Sequence, residues 1–568
     1  MNSLAILAIG VGILLIGYLF YGRWLSKEWG VDPTRPTPAH TMSDGLDYCP
    51  AKAPVLLGHH FSSIAGAGPI NGPILAAIFG WVPVFLWIVL GGIFFGAVQD
   101  FSSLFASIRH KGRSIGYVIE ANMGAKGKQL FLMFAYLTLL LVVAAFASIV
   151  VGTFNGFTAE GAKIPANGTT ATISILFIVM AILFGFGVYR KGAPLGISSV
   201  VGIIAIVISI VIGLKFPIYL SSKVWLIVVL AYIFIASVTP VWILLQPRDY
   251  LSSFLLYGMI LAAFAGVIVT RPEVNLPAFA GFGGINGNSY LFPMLFITVA
   301  CGAISGFHSL VSSGTTAKQI DNEKDARIIG YGGMLIECVV AIIALIAVGI
   351  LFKDGAFAKG TPTQVFATGI ATMIQGFAGE ASYDVAYALI ILSVSVFCLT
   401  SLDTATRLAR YMFTEFFLKS GEDVSSLTGV RKVLVNPYVS TLITVAIGGA
   451  MAVGGYAKIW PLFGSANQLL GALALLAVAV WLGNAGKNNK MFYFPMAFMY
   501  IATISALVIT VKNNIMKLTA GTGTIGAEGL QVLFSVLLII LAINLAIVGT
   551  KTLRNKKTLP PDEVEAVK

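Results

Sequence analysis

The chain has 568 residues, of which 57% are hydrophobic and only 11% are charged, and its mean hydropathy is +0.90. Together with repeated apolar runs of about 20 residues, this composition predicts a polytopic membrane protein rather than a soluble enzyme. The net charge of +12 does not indicate a nucleic-acid partner, because the basic residues are spread through short loops between the apolar runs.

About fifteen apolar windows are long enough to cross a membrane as helices. They lie near residues 3–22, 62–80, 82–107, 130–153, 171–188, 196–214, 224–245, 251–270, 290–312, 330–351, 383–402, 438–456, 461–482, 491–511 and 529–549. The first window has no basic segment before it and no small-residue cleavage site, so we interpret it as a retained span. The chain is thus predicted to be an all-α membrane protein.

The charge of the loops predicts the orientation of the spans. The loop with Arg109, Lys111, Arg113, Lys126 and Lys128 is the most basic in the first half, and every second loop after it is basic too. The intervening loops at 154–170, 271–289 and 352–382 are long, glycine-rich and poor in basic residues. Because basic loops stay in the cytoplasm, the N-terminus is predicted outside and the C-terminus inside.

The second window contains a stretch, GHHFSSIAGAGPINGP at 58–73, that cannot form one uninterrupted helix. Its glycines lower helix propensity, and Pro69 and Pro73 each remove a backbone donor. A break at membrane depth exposes backbone carbonyls and amides, which bare hydrocarbon does not tolerate. The break is therefore predicted to line an enclosed cavity, like the broken helices that bind solutes and ions in secondary transporters.

A second interruption, ASVTP at 236–240, lies in the window at 224–245, five windows after the first. By parity, the two interrupted windows run in opposite directions. Two breaks at matching positions of two opposed five-span units predict an inverted repeat around a site at the membrane midplane. A chance break at Pro240 is the alternative, because Pro and Gly are common in membrane helices.

Several long stretches resemble one known family. They are GHHFSSIAGAGPINGP at 58–73, WVPVFLWIVLGGIFFGAVQDF at 81–101, PVWILLQPRDYLSSF at 240–254 and CGAISGFHSLVSSGTTAKQI at 301–320. In these stretches the chain is similar to the carbon starvation protein A family, and the similarity extends from Tyr18 to at least Asp403. The resemblance implies a LeuT-like transporter of the amino acid-polyamine-cation superfamily in the bacterial inner membrane. Characterised relatives are associated with uptake of peptides, or of pyruvate with protons, during nutrient starvation.

The breaks and the resemblance together predict a LeuT-like 5+5 inverted-repeat core with two broken helices and additional peripheral helices. We divide the chain into an N-terminal span with a cytoplasmic connection (1–61), the ten-span core (62–402), a cytoplasmic loop (403–436), four peripheral spans (437–550) and a cytoplasmic tail (551–568).

The candidate substrate-binding residues lie in the two breaks. The half-helix after Pro69 would offer its positive end and free amides to a carboxylate, and the preceding half-helix would offer carbonyls to a cation or an ammonium group. The candidates are Ala65, Gly66, Ala67, Gly68, Asn71, Ser237, Thr239 and Trp242. A glycine-rich contact between helices is the alternative interpretation of the first break.

The coupling ion is predicted to bind near Glu337 and His308. Ionisable groups at membrane depth are costly and usually functional, and two of them favour a proton. Ser305, Ser309 and Ser312 recur at helical spacing beside His308, on what would be the eighth helix of a LeuT-like core. Such hydroxyls would hold sodium there. Serines that bond to carbonyls of their own helix would give the same pattern, so the proton and the sodium remain alternatives.

The predicted cytoplasmic halves of several spans carry residues that could form a gate of breakable ion pairs. These are Asp100, Arg248, Asp403 and Arg407. For Asp403 and Arg407, which are four residues apart, a static ion pair on one helix is the alternative.

Other classes of protein lack their motifs. No HExxH or GxSxG pattern of a hydrolase and no GxxxxGK[ST] loop of a nucleotide-driven pump is present. A sodium-coupled symporter, an ion channel and a nutrient sensor stay open as alternatives. The four cysteines show no paired spacing, and we predict no metal and no cofactor. The expected partners are the lipid bilayer, a small-molecule substrate and a coupling proton or sodium ion, with a homo-oligomer left open.

Overall fold

The computed structural model describes residues 1–44, 48–158, 160–240, 243–418, 422 and 427–555. Within these residues, twelve helices are long and apolar enough to span a membrane: Ser3–Trp29, Trp81–Arg109, Ala125–Phe154, Pro165–Val188, Gly196–Lys215, Leu245–Thr270, Leu291–Lys318, Glu323–Leu351, Glu380–Phe416, Lys458–Asn484, Lys490–Thr519 and Ile525–Arg554. One bent pair of helices and two shorter apolar helices, Ser222–Val238 and Pro437–Ala452, complete the set. Each corresponds to one predicted window, so the prediction of an all-α polytopic protein is confirmed.

The bent pair is the first broken span, formed by Ala53–Ile64 and Gly68–Phe79, whose axes differ by 47°. Ala65 ends the first half with a non-helical backbone (φ −75°, ψ 72°). Pro69 lies in the first turn of the second half-helix. Backbone N–H groups in a first turn have no partner within the helix, so proline costs no hydrogen bond there. The predicted break is confirmed, and its first half-helix begins earlier than the predicted window.

A second broken span is Leu291–Lys318, which the sequence analysis treats as continuous. The helix Leu291–Val299 gives way to a 3-10 turn at Ala300–Gly302, and helix resumes at Gly306–Gly314. Ala300 has a positive φ of 46°. The break lacks proline, and the hydropathy of the span does not reveal it.

The two broken spans cross at their breaks. A Cβ atom on Gly72 would lie 2.2 Å from the Val299 carbonyl oxygen, and a Cβ atom on Gly68 would lie 2.5 Å from the Cys301 side chain. Only glycine permits this approach of two backbones. The second half of the first broken span therefore packs directly on the break of the second.

The predicted interruption at 236–240 lies between two helices rather than within one. Ser222–Val238 ends there, Thr239 is extended, and the next helix is Leu245–Thr270. Proline disfavours helical backbone in the residue before it and has no N–H to continue a helix. The window at 224–245 therefore overestimates the length of this span, and we correct the position of the second broken helix to Leu291–Lys318.

Four helices form a scaffold beside the broken spans. Ala125–Phe154 packs along Tyr383–Phe416, and Ser222–Val238 and Pro437–Ala452 pack against both of them. On another side, Gly333–Leu351 packs against Gly68–Ala76, and Ala97–Arg109 packs against Gly306–Gly314. The broken spans are thereby enclosed by protein at their breaks.

Helix Lys458–Asn484 is the most buried of the long helices, with 94% of its apolar window buried. It packs against Ala125–Phe154 and against Gly306–Gly314 of the second broken span. The prediction that all four C-terminal spans are peripheral does not hold for this helix.

Two predicted boundaries cut through helices. The limits at 61/62 and 402/403 fall inside Ala53–Ile64 and Tyr383–Phe416, so residues 403–416 are helical and not loop. The predicted long loop at 352–382 contains helix Pro362–Ala378, which starts with a capping box of Thr361 and Gln364. Residues 556–568 of the predicted tail lie outside the described residues.

Candidate functional site

The backbone of the first break is buried on every side. Ala65, Ala67 and Gly68 are enclosed, and a Cβ atom on Gly66 would lie 2.8 Å from the Phe146 ring and 3.0 Å from the Ser401 hydroxyl. Phe146 comes from Ala125–Phe154 and Ser401 from Tyr383–Phe416. The break is thus bounded by the second broken span and by two scaffold helices.

Three buried ionisable residues from three helices meet beside the second break. His308 Nδ1 lies 2.8 Å from Asp100 Oδ2, and His308 Nε2 lies 3.3 Å from Glu337 Oε2. All three side chains have zero exposure. An ionised Asp100 can only accept a hydrogen bond, which places a proton on Nδ1 of His308. We call Asp100, His308 and Glu337 the buried triad.

Several polar atoms of the triad have no hydrogen-bond partner among the described residues. Both oxygens of Glu337 and the Oδ1 atom of Asp100 have no hydrogen-bond partner among the described residues. Buried polar atoms are normally paired, so these exceptions call for a functional explanation. Two carboxylates around one imidazole form a site where a proton is strongly favoured, because each carboxylate left ionised at membrane depth is costly.

Cys301 lies beside the triad and links it to another polar residue. One ligand-type atom from each of Cys301, His308 and Glu337 lies within 4.8 Å of the others. Within this group, His308 and Glu337 form the ion pair described above. Cys301 Sγ also contacts the Ser305 hydroxyl at 3.3 Å, and Asn467 Nδ2 donates to Ser305 Oγ at 3.1 Å.

The three predicted sodium-site serines do not form one open face. Ser305 precedes the helix with extended backbone, and its hydroxyl is bonded to Asn467. Ser309 Oγ donates a hydrogen bond of 2.6 Å to the Gly306 carbonyl of its own helix. Ser312 Oγ is buried without a hydrogen-bond partner among the described residues. Ser309 thus bonds to a carbonyl of its own helix, which is the alternative stated above for these serines.

The predicted gate residues divide into two groups. Asp403 forms a buried ion pair with Arg248. The Tyr232 hydroxyl donates a hydrogen bond to Asp403 at 2.7 Å and accepts one from Arg248 Nη1 at 2.6 Å. Asp249 Oδ1 accepts from Arg248 at 3.1 Å. Asp100 instead belongs to the buried triad.

Arg407 does not pair with Asp403, although the two are four residues apart. Its Nη2 atom donates hydrogen bonds to the Ala236 carbonyl at 2.8 Å and to the Thr239 carbonyl at 2.5 Å. These carbonyls stand at the end of Ser222–Val238, where the chain leaves the helix and cannot satisfy them itself. Arg407 therefore caps a helix end, as cationic side chains commonly do.

A cavity of about 30 Å³ lies beside this network and is named here the vestibule. Its walls include His59, Ser63, Thr315, Lys318, Gln319, Thr404 and Arg407. His59 Nδ1 also lies 3.3 Å from Asp249 Oδ2, so the vestibule borders the ion-pair network.

The structure does not bring all predicted substrate residues together. Ser237 contacts the Thr441 hydroxyl at 3.4 Å, and Thr239 Oγ1 donates to the Ile235 carbonyl at 2.7 Å. Asn71 Oδ1 accepts from Thr363 at 3.2 Å, away from the break. Trp242 lies outside the described residues. The backbone at 65–68 is the part of the predicted set that meets the second broken span.

Sequence reasoning missed Phe146, Ser401 and Asn467 at the site. Asn467 lies in SANQ, a polar group in an apolar window, and intramembrane polar residues are a usable signal. Phe146 and Ser401 lie in long helices among many similar residues, and no local pattern distinguishes them.

Comparison with known proteins places these features in a family. A sequence model described as Carbon starvation protein CstA matches residues 2–360 and 353–506. The Peptide transporter CstA of Escherichia coli (strain K12) is 35% identical, over 89% of this chain and 80% of the relative. The Peptide transporter CstA of Bacillus subtilis (strain 168) is 32% identical, over 97% of each chain.

A relative with a different name is also similar. The Pyruvate/proton symporter BtsT of Escherichia coli (strain K12) is 32% identical, over 89% of this chain and 81% of the relative. Among solved structures, a manganese transporter of Eremococcus coleocola has a TM-score of 0.50 at 12% identity and covers 91% of this chain and 99% of its own. That likeness concerns the fold alone and agrees with the predicted LeuT-like architecture.

Proposed function

This chain belongs to the carbon starvation protein CstA family, and on that premise we propose that it imports a peptide or pyruvate across the bacterial inner membrane together with protons. The observation that carries the proposal is the buried triad. His308 lies between two carboxylates at distances of 2.8 Å and 3.3 Å, with no exposure to solvent.

The triad suits a proton better than a sodium ion. With His308 protonated and both carboxylates ionised, the triad carries one net negative charge, and one further proton neutralises it. Neutralisation lowers the cost of holding the triad at membrane depth. A sodium site would need several oxygen ligands directed at one point, whereas Ser305 lies before the helix that carries Ser309 and Ser312, and its hydroxyl accepts from Asn467.

The substrate binds, in this proposal, where the two breaks cross. The half-helix Gly68–Ala76 directs its N-terminal end at the break, and such an end favours a carboxylate, which peptides and pyruvate share. Phe146 and Ser401 form the opposite wall beside Gly66. We therefore place the second wall of the substrate site at residues 299–305, and we leave Ser237, Thr239 and Trp242 outside it.

Coupling follows from the position of this wall. His308 and Glu337 adjoin the second break through Cys301. A proton that neutralises the triad changes the electrostatic environment of the half-helix Gly306–Gly314, which directly follows the crossing on the same broken span. Substrate and proton thus act on the same broken span, which is what symport requires.

We propose a ten-span core with a composition that differs from the predicted 62–402. The first repeat contains the first broken span, Trp81–Arg109, Ala125–Phe154, Ser222–Val238 and Leu245–Thr270, and the second contains Leu291–Lys318, Glu323–Leu351, Glu380–Phe416, Pro437–Ala452 and Lys458–Asn484. The third and fourth members of each repeat form the scaffold. Pro165–Val188 and Gly196–Lys215 form a hairpin inserted into the first repeat.

Seven spans separate the start of the first broken span from the start of the second in this assignment, so the two run in opposite directions as inverted repeats do. The basic loops then remain on one side, with the N-terminus outside and the C-terminus in the cytoplasm. The vestibule lies in this orientation nearer the cytoplasmic side, because Lys318 and Gln319 of its wall lie at the cytoplasmic end of the second broken span.

Transport into proteoliposomes tests the proposal. Purified protein is reconstituted, and uptake of labelled pyruvate and labelled dipeptides is measured under an imposed pH gradient or an imposed sodium gradient. We expect saturable accumulation that follows the pH gradient. A sensor would show no uptake, and a channel would show uptake without accumulation against a gradient.

A further inference from the structure

His60 is a buried titratable residue that the triad and the ion-pair network do not use. Its ring is fully buried, and Nδ1 lies 2.8 Å from the Thr316 hydroxyl. Its Nε2 atom has no hydrogen-bond partner among the described residues. Leaving such an atom unpaired costs free energy, so its position needs an explanation.

The unpaired edge of His60 faces the helix that carries Glu337. A Cβ atom on Gly333 would lie 3.3 Å from His60 Cδ2 and 3.8 Å from Nε2. Glu337 is four residues further along that helix on the same face, about 6 Å along the axis. The side chain of Glu337 and the Nε2 atom of His60 thus lie on the same side of this helix, and neither the Glu337 oxygens nor Nε2 has a hydrogen-bond partner among the described residues.

The other edge of His60 leads to the vestibule. Thr316 lies between Thr315 and Lys318, which both line that cavity. The vestibule has a volume of about 30 Å³, and a water molecule needs roughly 10–15 Å³. His60 therefore lies between the helix that carries Glu337 and, through Thr316, a cavity large enough to hold water.

We propose that His60 carries the coupling proton from Glu337 to the vestibule. This inference rests on the proposed proton symport and names its release route. The O–H bond of protonated Glu337 breaks as an N–H bond forms at Nε2 of His60, through one bridging water. The Nδ1–H bond of His60 then breaks, and its proton passes through the Thr316 hydroxyl to water in the vestibule.

The ring is neutral before and after this transfer, with its proton moved from Nδ1 to Nε2, and Glu337 is left as a carboxylate beside His308. A rotation of the ring about Cβ–Cγ then turns the protonated nitrogen towards Thr316 and the free nitrogen towards Glu337, so that the next proton can be accepted. The titratable groups that act on His60 are His59 on its own helix and His308 on the second broken span, and Glu337 lies on the helix whose Gly333 packs against the ring. Imidazole is suited to this task because one nitrogen accepts a proton while the other donates one.

The test separates net uptake from exchange. His60→Gln removes the two-nitrogen relay, and Thr316→Val removes the hydroxyl while keeping the side-chain volume. Net uptake under a pH gradient, proton entry by an internal pH dye, and counterflow exchange of labelled substrate are measured in proteoliposomes. Exchange returns the proton with the substrate, so it needs no release to the vestibule.

We expect both variants to lose net uptake and proton entry by roughly 10²-fold while counterflow stays near the wild-type rate. His40→Gln is the matched control, because His40 is half-exposed and pairs with Asp321 away from the triad. It should leave all three rates unchanged. Equal loss of uptake and exchange in both variants would show a structural role for His60, and unchanged net uptake would show a different route; either result overturns the inference.

A parallel Glu337→Gln variant distinguishes failure of this inference from failure of the proposed function. If Glu337→Gln uncouples uptake from the pH gradient and His60→Gln does not, only the release route is wrong. If Glu337→Gln leaves proton coupling intact, the proposed symport at the triad fails as well.

Discussion

The Val299 carbonyl oxygen lies 2.2 Å from the point where a Cβ atom on Gly72 would stand. The backbones of the two broken spans therefore touch, with no side chain between them. Since both half-helices at this contact belong to the proposed substrate site, the close approach makes the position of one break depend on the other.

Gly72→Ala tests this contact. The added methyl group must displace backbone rather than a flexible side chain, so we expect separation of the broken spans and loss of most transport. The free energy of unfolding in detergent should fall by about 1–3 kcal/mol, the usual cost of overpacking.

Gly258→Ala is the matched control for Gly72→Ala. Gly258 lies within Leu245–Thr270, and a Cβ atom there would meet nothing within 4 Å. Alanine at that position should be neutral or slightly stabilising. A Gly72→Ala protein with wild-type uptake would contradict the proposed crossing.

The pairing of Arg248 with Asp403 predicts a non-additive pair of substitutions. Arg248→Met leaves Asp403 as a buried carboxylate without its cation, and losing one partner of a buried pair costs about 3–5 kcal/mol. Arg248→Met combined with Asp403→Leu removes both charges of this pair and should recover the stability lost by leaving the Asp403 carboxylate unpaired. Asp249 then keeps only His59 as an ionisable partner among the described residues. Thermal unfolding of the two single variants and the double variant gives the coupling energy.

Transport should not recover in the double variant if the pair is a gate, because an apolar pair has no charges to separate during opening. Full recovery of both stability and transport would show that the pair is structural only. Arg407→Met should behave differently, since Arg407 caps the Ala236 and Thr239 carbonyls and adding Asp403→Leu should not rescue it.

The serines of the second broken span provide a test of the sodium alternative. Ser309→Ala removes a hydroxyl that donates to the Gly306 carbonyl at 2.6 Å, and we expect transport to keep its dependence on the pH gradient. A sodium-stimulated uptake that disappears in both Ser309→Ala and Ser312→Ala would contradict the proton assignment.

Phe146 is expected to contact the substrate beside Gly66. Phe146→Leu should raise KM by about tenfold with little change in maximal rate, because it removes a wall of the site and leaves the triad intact. The measurement is the concentration dependence of uptake at a fixed pH gradient. A change confined to the maximal rate would place Phe146 in the conformational change rather than at the substrate.

Sequence reasoning found the spans and the first break because their signals are local. Apolar windows and the Gly-Pro pattern at 66–73 are read from neighbouring residues. His308 and Glu337 were also found locally, as ionisable residues in apolar helices. Their contact is a tertiary fact, however, and the sequence placed the third member, Asp100, in the gate.

The second break was missed because nothing in CGAISG resembles a strong helix breaker. The interruption depends on close packing instead: a Cβ atom on Gly306 would lie 2.3 Å from the Asn467 carbonyl oxygen of a helix far along the chain. Pro240, in contrast, is a strong local signal that marks the end of a helix. Local breakers and tertiary breaks therefore need to be distinguished before a binding site is assigned.

The central claim is that the buried triad binds the coupling proton, and Glu337→Gln tests it most directly. Glutamine keeps the size of the side chain and cannot take up or release a proton at that position. Net uptake and counterflow are measured in proteoliposomes with an imposed pH gradient and, separately, with an imposed sodium gradient at fixed pH. The account predicts that Glu337→Gln abolishes accumulation driven by the pH gradient and preserves counterflow exchange. Accumulation in this variant that still follows the pH gradient, or wild-type accumulation that follows the sodium gradient alone, would contradict it.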